Sequence, residues 1–494
     1  MTEASRSGWR HLWRVLLMLS ALGAVAVAPV TAQTNADRPV TFSKDIAPIL
    51  QKSCQQCHRP DSIAPMSLIT YQQVRPWARA IKQRTQLAHV PGMRGVMPPW
   101  LLERNIGIQQ IQSDLRLTDK EIELIAKWAD GGAPEGNPAD MPPELNFADS
   151  SQWILGKPDL IVASPPFPVP GVGPDWWGDV GETKPVEELT EDRYAERAEY
   201  KESSSLTKST GLLRGATDAP GQGKTSIFVV HHGGAAMRRP NETRSVSSIP
   251  NHEVGHNGHI FPSQAGRLVP AKAVFMFGGL HLHSPGVPGA DRDVTLNVAL
   301  KLHPRGYKPL RHEGRVNTPR SELDINPNSA NQRYDSYFVA QQPIKLLNFE
   351  PHMHAAGMRM CIEAIYDLSV ETLSCAVYDH NWVRDYRYDE NHAPLIPKGA
   401  IIHTISWFDG TPKNANLIDP RNTTVYGRRS VENMLGVNNY AFFLTDAEYQ
   451  EELAQRRAYL ERTKGWDTLV GCADCWKTST TEKRDTSREN APPD

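Results

Sequence analysis

"AKAVFMFGGLHLH", residues 271–283, is a run of β-branched and aromatic side chains broken by Gly278-Gly279 and closed by His281-Leu282-His283. Such runs, bounded by glycine and proline, read as strands. The pattern recurs in "TSIFVVHH" (225–232), "DVTLNVALKLH" (293–303), "IKLLNFEPHMH" (344–354), "CIEAIYDL" (361–368), "ETLSCAVYDH" (371–380) and "AIIHTISWFDG" (400–410). Helical periodicity nearly vanishes until residue 446, so the spacing predicts an all-β region, most simply two sandwich domains over 150–340 and 341–445. Residues 171–225 are polar and poorly patterned and read as loops or an insertion.

Histidines stand on or at the ends of these runs. His281/His283 and His352/His354 have the period-two spacing that points both imidazoles to one face of a strand. His231-His232 are adjacent and face opposite ways in a regular strand, so a shared ion requires a bulge or a strand end, which Gly233-Gly234 would permit. His256 and His259, in "HNGH", read as surface loop residues. Imidazole sets suit copper, zinc, iron or nickel, and a thioether added to them favours copper.

The 494 residues are too many for one ordinary core, and 22% charged against 39% hydrophobic residues fits a globular chain. A formal charge of −2 without a basic patch argues against a nucleic-acid partner. Residues 1–32 place Arg6, Arg10 and Arg14 before "VLLMLSALGAVAVAPV" and a small-residue exit at Ala32, the pattern of an export signal. The expected location is the periplasm, as a soluble protein or one peripheral to a membrane. In that oxidising setting Cys361/Cys375, on successive predicted strands, and Cys472/Cys475 are expected to form disulfides. Residues 446–464 read as a charged helix with a solvated face, and the polar tail after it as disordered.

The first cysteine pair has a different use. "CQQCH", residues 54–58, is the attachment motif for one covalent c-type haem, with Cys54 and Cys57 as thioether donors and His58 as axial ligand. Met97, in "GVMPPW", is the expected sixth ligand, and His89 competes with it. A closing helix is expected from Leu117-Thr118, with Ile122, Ile125, Ala126 and Ala129 at helical spacing and Gly131-Gly132 as its stop. Residues 37–135 therefore resemble a small all-α cytochrome c domain, joined by a proline-rich linker (136–149) to the β region.

Eight segments carry a more specific resemblance: "LGKPDLIV", "EDRYAERAEY", "VVHHGG", "LHLHSPG", "PHMHAAGMRM", "YDHNW", "PKGAIIHTISWFDG" and "SVENMLG". In this order they resemble the copper type II, ascorbate-dependent monooxygenases, the peptidylglycine α-hydroxylating and dopamine β-monooxygenase family, in a bacterial branch fused behind a cytochrome c domain. The resemblance implies two jelly-roll-like domains and two separated coppers. One would be held by His231, His232 and His283 (or His281), the other, catalytic one by His352, His354 and Met434. It implies hydroxylation of a C–H bond of a small substrate by dioxygen, with electrons from a periplasmic donor entering through the haem. The alternative is a copper- and haem-containing electron-transfer or copper-binding protein. Where the peptide enzyme has a carboxylate-binding arginine, two residues before H-x-H, this chain has Glu350; Gly436 and Asn438 replace the family's asparagine and tyrosine. A C-terminal glycine peptide is therefore not the expected substrate.

Overall fold

The computed structural model describes residues 38–476 apart from 61–63, 65, 91, 148–152, 206, 212–228, 285–287, 290, 317, 319–321 and 367–368. The expected export signal and the polar tail lie outside the described residues. The described residues from Thr41 onward pack as one compact unit.

It begins with a helical region of four short helices: α1 (Ala47–Ser53), α2 (Tyr71–Val74), α3 (Ala78–Gln86) and α4 (Asp119–Asp130). Thr118 and Glu121 cap α4 reciprocally, which satisfies two of its free N–H groups. Its Ile122, Ile125 and Trp128 are buried, and the chain leaves the helix at Gly131.

The rest is β-sheet. The principal strands are β1 (Leu160–Ala163), β2 (Trp176–Gly178), β3 (Arg193–Ser204), β4 (Val230–Arg238), β5 (His252–Glu253), β6 (Gly258–Ile260), β7 (Val274–Leu282), β8 (Arg292–Leu302), β9 (Gln332–Val339), β10 (Pro351–Met353), β11 (Gly357–Tyr366), β12 (Ser369–Val377), β13 (Ile401–Phe408), β14 (Leu435–Val437) and β15 (Asn439–Phe443). A seven-stranded sheet is built on the order β1-β8-β3-β6, and a six-stranded one on β2-β7-β4, with β5 paired to β4. Their inner faces share one core, in which Ala198, Tyr200, Leu296 and Val298 meet Val230, Met237, Phe275 and Phe277. A four-stranded sheet, β9-β13-β11-β12, shares a second core with the sheet containing β15.

Residues 171–225 differ from the loop expectation, because twelve of them form β3, a central strand of the largest sheet. Its polarity conceals it: Glu199 and Lys201 are buried in the strand, the first accepting from Leu155 N and the second lying over the Trp153 ring. Helix α5 (Asp446–Thr463) forms where expected, yet its charge is not all solvated. Glu452 is buried in an ion pair with Lys345 at 2.8 Å, and Arg456 donates to the Ala393 carbonyl. Both disulfides, Cys361–Cys375 across β11 and β12 and Cys472–Cys475 after α5, are present.

The helical region is stitched into the β region. Residues 101–108 run along the free edge of β12, with Glu103 N donating to Cys375 O and Ile108 N to Leu373 O. Gly107 (φ 60°) makes this approach possible, since a Cβ there would stand 2.2 Å from the Leu373 carbonyl oxygen. Trp100, Leu102, Ile108 and Ile111 enter the second β core. An exposed strand edge is thereby covered.

Candidate metal centre

His231 and His232 open β4, and His281 closes β7 opposite His232. The β4–β7 register shifts between Gly278 and His281, where Gly279 takes a left-handed conformation (φ 61°). A second shift falls between His281 and Leu282, where His231 is the extra residue on β4, so an irregularity lies at the adjacent histidines themselves as well as on the partner strand. From the C-terminal region, β10 carries His352 and leads directly to His354. Its register against β14 pairs His352 with Gly436 and Met353 with Leu435, and His354 and Met434 are the residues that adjoin the last pair, outside both strands. Met434 itself is half-buried.

These segments converge on one cluster. His231, His232, His281 and His354 are essentially buried, and His380, from the turn after β12, is 5% exposed. Ring centroids lie 4.4 Å apart for His231–His380, 4.5 Å for His231–His283, 5.1 Å for His232–His281 and 5.3 Å for His232–His352. Three triads each bring one ligand atom per residue within 4.8 Å of the others: His231/His232/His281, His231/His283/His380 and His232/His352/His354. His281 and His283 therefore both belong to the cluster, and His231 and His232 divide between its two sides. His380 was not among the ligands read from sequence. It stands alone in "YDHNW", without the paired spacing that marks the others, so only the fold could find it.

Burial, with the neighbouring imidazoles, holds His231, His232, His283, His352, His354 and His380 neutral. His231, His232 and His380 are pushed well below the usual imidazole value, His283 and His352 to about 4 and His354 to about 3, with burial the first cause in each. Neutral rings keep a lone pair for a metal. The second nitrogen of several rings is tied to the protein. His231 Nε2 donates to the His380 carbonyl at 2.8 Å, His281 Nε2 to Asp175 at 2.9 Å and His354 Nδ1 to the Glu432 carbonyl at 3.3 Å. Ser430 Oγ lies 3.1 Å from His281 Nε2 and 3.2 Å from Nε2 of both His283 and His380, which ties residues of the two β regions together. Asp175, hydrogen-bonded to His281, is held well below the usual carboxylate range.

The opposite nitrogens have no such partners. His231 Nδ1, both nitrogens of His232, His281 Nδ1, His352 Nδ1, His354 Nε2 and His380 Nδ1 are buried without a hydrogen bond. Each orphaned buried polar group costs about 1–3 kcal/mol. One nitrogen fixed by a carbonyl or carboxylate and the other turned inward is the tautomer arrangement of metal-binding histidine. The residues present fit a metal, and an all-imidazole set suits copper, zinc, iron or nickel.

Glu350 is 4% exposed and does not stand as a free charge facing a substrate. Burial and nearby Asp385 raise it to about 8, while Asn438 Nδ2 donates to it at 2.9 Å. Glu253, raised well above the ordinary value by burial and by Glu350, lies 3.8 Å from His352 Nδ1. His256 and His259 are not surface residues. His259 is buried, His256 Nε2 lies 3.4 Å from His259 Nδ1 and 3.9 Å from Asp385, and His259 Nε2 bonds the Asn251 carbonyl at 2.9 Å.

In the helical region Cys54 follows α1 and, like Cys57, is a free thiol. His58 Nδ1 lies 3.2 Å from the Met66 carbonyl, an arrangement that leaves Nε2 for an axial bond. Two free thiols and this histidine fit a covalent haem. Met97 is exposed and lines a cavity of about 320 Å³ together with His89, Met93 and Trp100, but Cys54, Cys57 and His58 are not among its walls. Arg384 is within electrostatic reach of Cys57, stacks over Trp100 at 5.0 Å and donates to the Gly255 carbonyl at 2.8 Å.

No family model matches the chain, and no curated protein does. Among solved structures, a PBSX exported protein, XepA, aligns at 6% identity over 55% of this chain and 92% of that one, with a TM-score of 0.13, too low to bear on the fold. Among the described residues no helix is long and apolar enough to cross a membrane.

Proposed function

We propose that this is an exported copper- and haem-dependent monooxygenase, a relative of the peptidylglycine and dopamine monooxygenases, built of a cytochrome c domain and two jelly-roll-like domains. The observation that carries the reading is the buried histidine cluster whose inward nitrogens lack partners. Copper bound there would supply one-electron redox chemistry and dioxygen activation, and haem on Cys54, Cys57 and His58 would supply outer-sphere electron transfer. The overall reaction joins a substrate C–H bond, dioxygen, two electrons and two protons to give an alcohol and water.

The chain's own groups prepare this chemistry. Asp175 and the His380 and Glu432 carbonyls fix which nitrogen of His281, His231 and His354 carries the proton. Burial excludes bulk water from His281 and His354, while the partly exposed His283 marks the side nearest solvent. Arg384, within electrostatic reach of Cys57 and donating to the Gly255 carbonyl, links the CQQCH segment to the β region. A periplasmic donor would reduce the haem, and the substrate is a small organic molecule.

One observation favours a second reading. His352 and His354 are nearly enclosed, which suits an electron-transfer or copper-binding protein without a substrate. Dioxygen uptake by reduced, copper-loaded protein across a panel of small substrates separates the two. Uptake that disappears in Met434→Ala, with haem retained, supports the enzyme. Rapid electron transfer from haem to copper without uptake on any substrate supports the carrier and removes the monooxygenase.

A further inference from the structure

We infer that the substrate is a small zwitterion of the amino-acid class, held in a cavity on the outer face of the six-stranded sheet between Asp179 and Arg315; the inference rests on the monooxygenase reading above. The cavity has a volume of about 270 Å³, close to the lower end of ligand-sized pockets. Its floor is the face of β4 and β7 turned away from the core. Met237, Phe275 and Phe277 point into the core, so by strand alternation Gly234, Ala236, Met276 and Gly278 face the other way. His232 stands on that same face of β4, two residues before Gly234, which is about 7 Å along the strand. The floor therefore runs up to the histidine cluster, and no histidine ring forms part of the cavity wall.

Two glycines keep this floor open for polar groups. Gly234 and Gly278 are cross-strand partners, whose side-chain positions are about 4.5–5.5 Å apart. A Cβ on Gly278 would stand 2.5 Å from Asp179 Oδ1, and one on Gly234 would stand 2.5 Å from Asn251 Oδ1. Asp179 follows β2, on the β7 side of the sheet. Its Oδ1 accepts from Gly279 N at 2.9 Å, and it forms no ion pair among the described residues. The other acid at the rim, Glu182, is already paired with Arg238. Arg315 stands on the β4 side, where its charge reaches Glu253 and His352. It belongs to the C-terminal β region, opposes Tyr440 of β15 and donates to Asn438 Oδ1. It too forms no ion pair among the described residues. An unpaired carboxylate and an unpaired guanidinium thus border one small cavity from opposite sides. A ligand with a single charge leaves one of them unmatched, whereas an ammonium and a carboxylate on one molecule match both. Ala236 and Met276 supply an apolar surface for the rest of it.

The test is calorimetric titration of the full, haem-containing chain with free α-amino acids, L-leucine and L-phenylalanine among them. Each is compared with the amine that lacks its carboxylate and the acid that lacks its ammonium. Metal-free and copper-loaded protein are both titrated, so the site is read independently of copper chemistry. At least one amino acid is expected to bind about 10–100-fold more tightly than either its amine or its acid. Arg315→Gln should erase the advantage over the amine, and Asp179→Asn the advantage over the acid, with copper content unchanged in both. Ala236→Leu, which fills the floor, should abolish binding and serves if either charge variant does not fold by circular dichroism. No amino acid bound by either form of the protein, or an amine or acid bound as tightly as its amino acid, would overturn the assignment. So would variants that weaken all three ligands alike. Selective binding with no dioxygen uptake by the reduced, copper-loaded protein would leave the zwitterion site standing and remove the monooxygenase reading.

Discussion

Two groups of buried histidines lie in the β region, and their hydrogen bonds differ. In the seven-histidine cluster His231, His281, His354 and His380 hold protein groups with one nitrogen and leave the other bare, and His232 leaves both bare. In the His256/His259/Asp385 group the imidazoles bond each other, and His259 also bonds the Asn251 carbonyl. Burial and residue type are alike in both. Both groups bring three ligand atoms within 4.8 Å of one another, and what separates them is the orphaned lone pairs, which are in the larger cluster.

The sharpest way to break this contrast is to remove the residues that join the two sides of the cluster. His231→Ala/His232→Ala is expected to lower copper content to background while leaving the haem absorbance unchanged. Full copper retention in that variant would mean that the ligands lie elsewhere.

Acid is next. The folded pKa values of His352 and His252 are depressed to about 4 and that of His256 to about 3, below the imidazole value of about 6.5 for an unfolded chain. The unfolded state then binds more protons, so stability is fully present above about pH 6.5 and is lost as pH falls toward the folded values. Each such histidine contributes a slope of up to about 1.4 kcal/mol per pH unit. Thermal melts of copper-free protein should therefore fall steeply below pH 6.5, and copper should flatten the upper part of that curve. A flat profile from pH 7 to 4.5 would show that these rings are not held neutral.

Legibility follows the range of the signal. "CQQCH" is local, and so is the H-x-H spacing that marks His281/His283 and His352/His354. The Cys361–Cys375 hairpin is nearly local, and its partners are directly cross-strand. His380, Asp175 and Ser430 carry no local mark, because a lone histidine, aspartate or serine in a loop has no periodicity to read. Only docking of the two β regions brings them together. Strand β3 was hidden for another reason: two of the charges that suggest a loop, Glu199 and Lys201, are buried in it, one bonded by Leu155 N and the other over the Trp153 ring. The attachment of residues 101–108 to β12 was equally invisible, since a covered edge leaves no compositional trace.

A smaller effect is expected at the support of the cluster. Asp175→Asn keeps a side chain of the same shape but removes the charge that orients His281, and copper affinity should drop about 10–100-fold. Unchanged affinity by competition with a chelator would show that His281 needs no such partner. The smallest change belongs to the other group. His256→Ala should cost about 1–3 kcal/mol of stability by leaving His259 Nδ1 unpaired, with copper content unaltered. Loss of copper there would erase the distinction between the two groups.

The most direct test is a metal and haem count on protein purified from the periplasm of an expressing cell. The account predicts two coppers and one covalent haem per chain. Haem present in full with no copper, in protein loaded under copper-sufficient conditions, would contradict it.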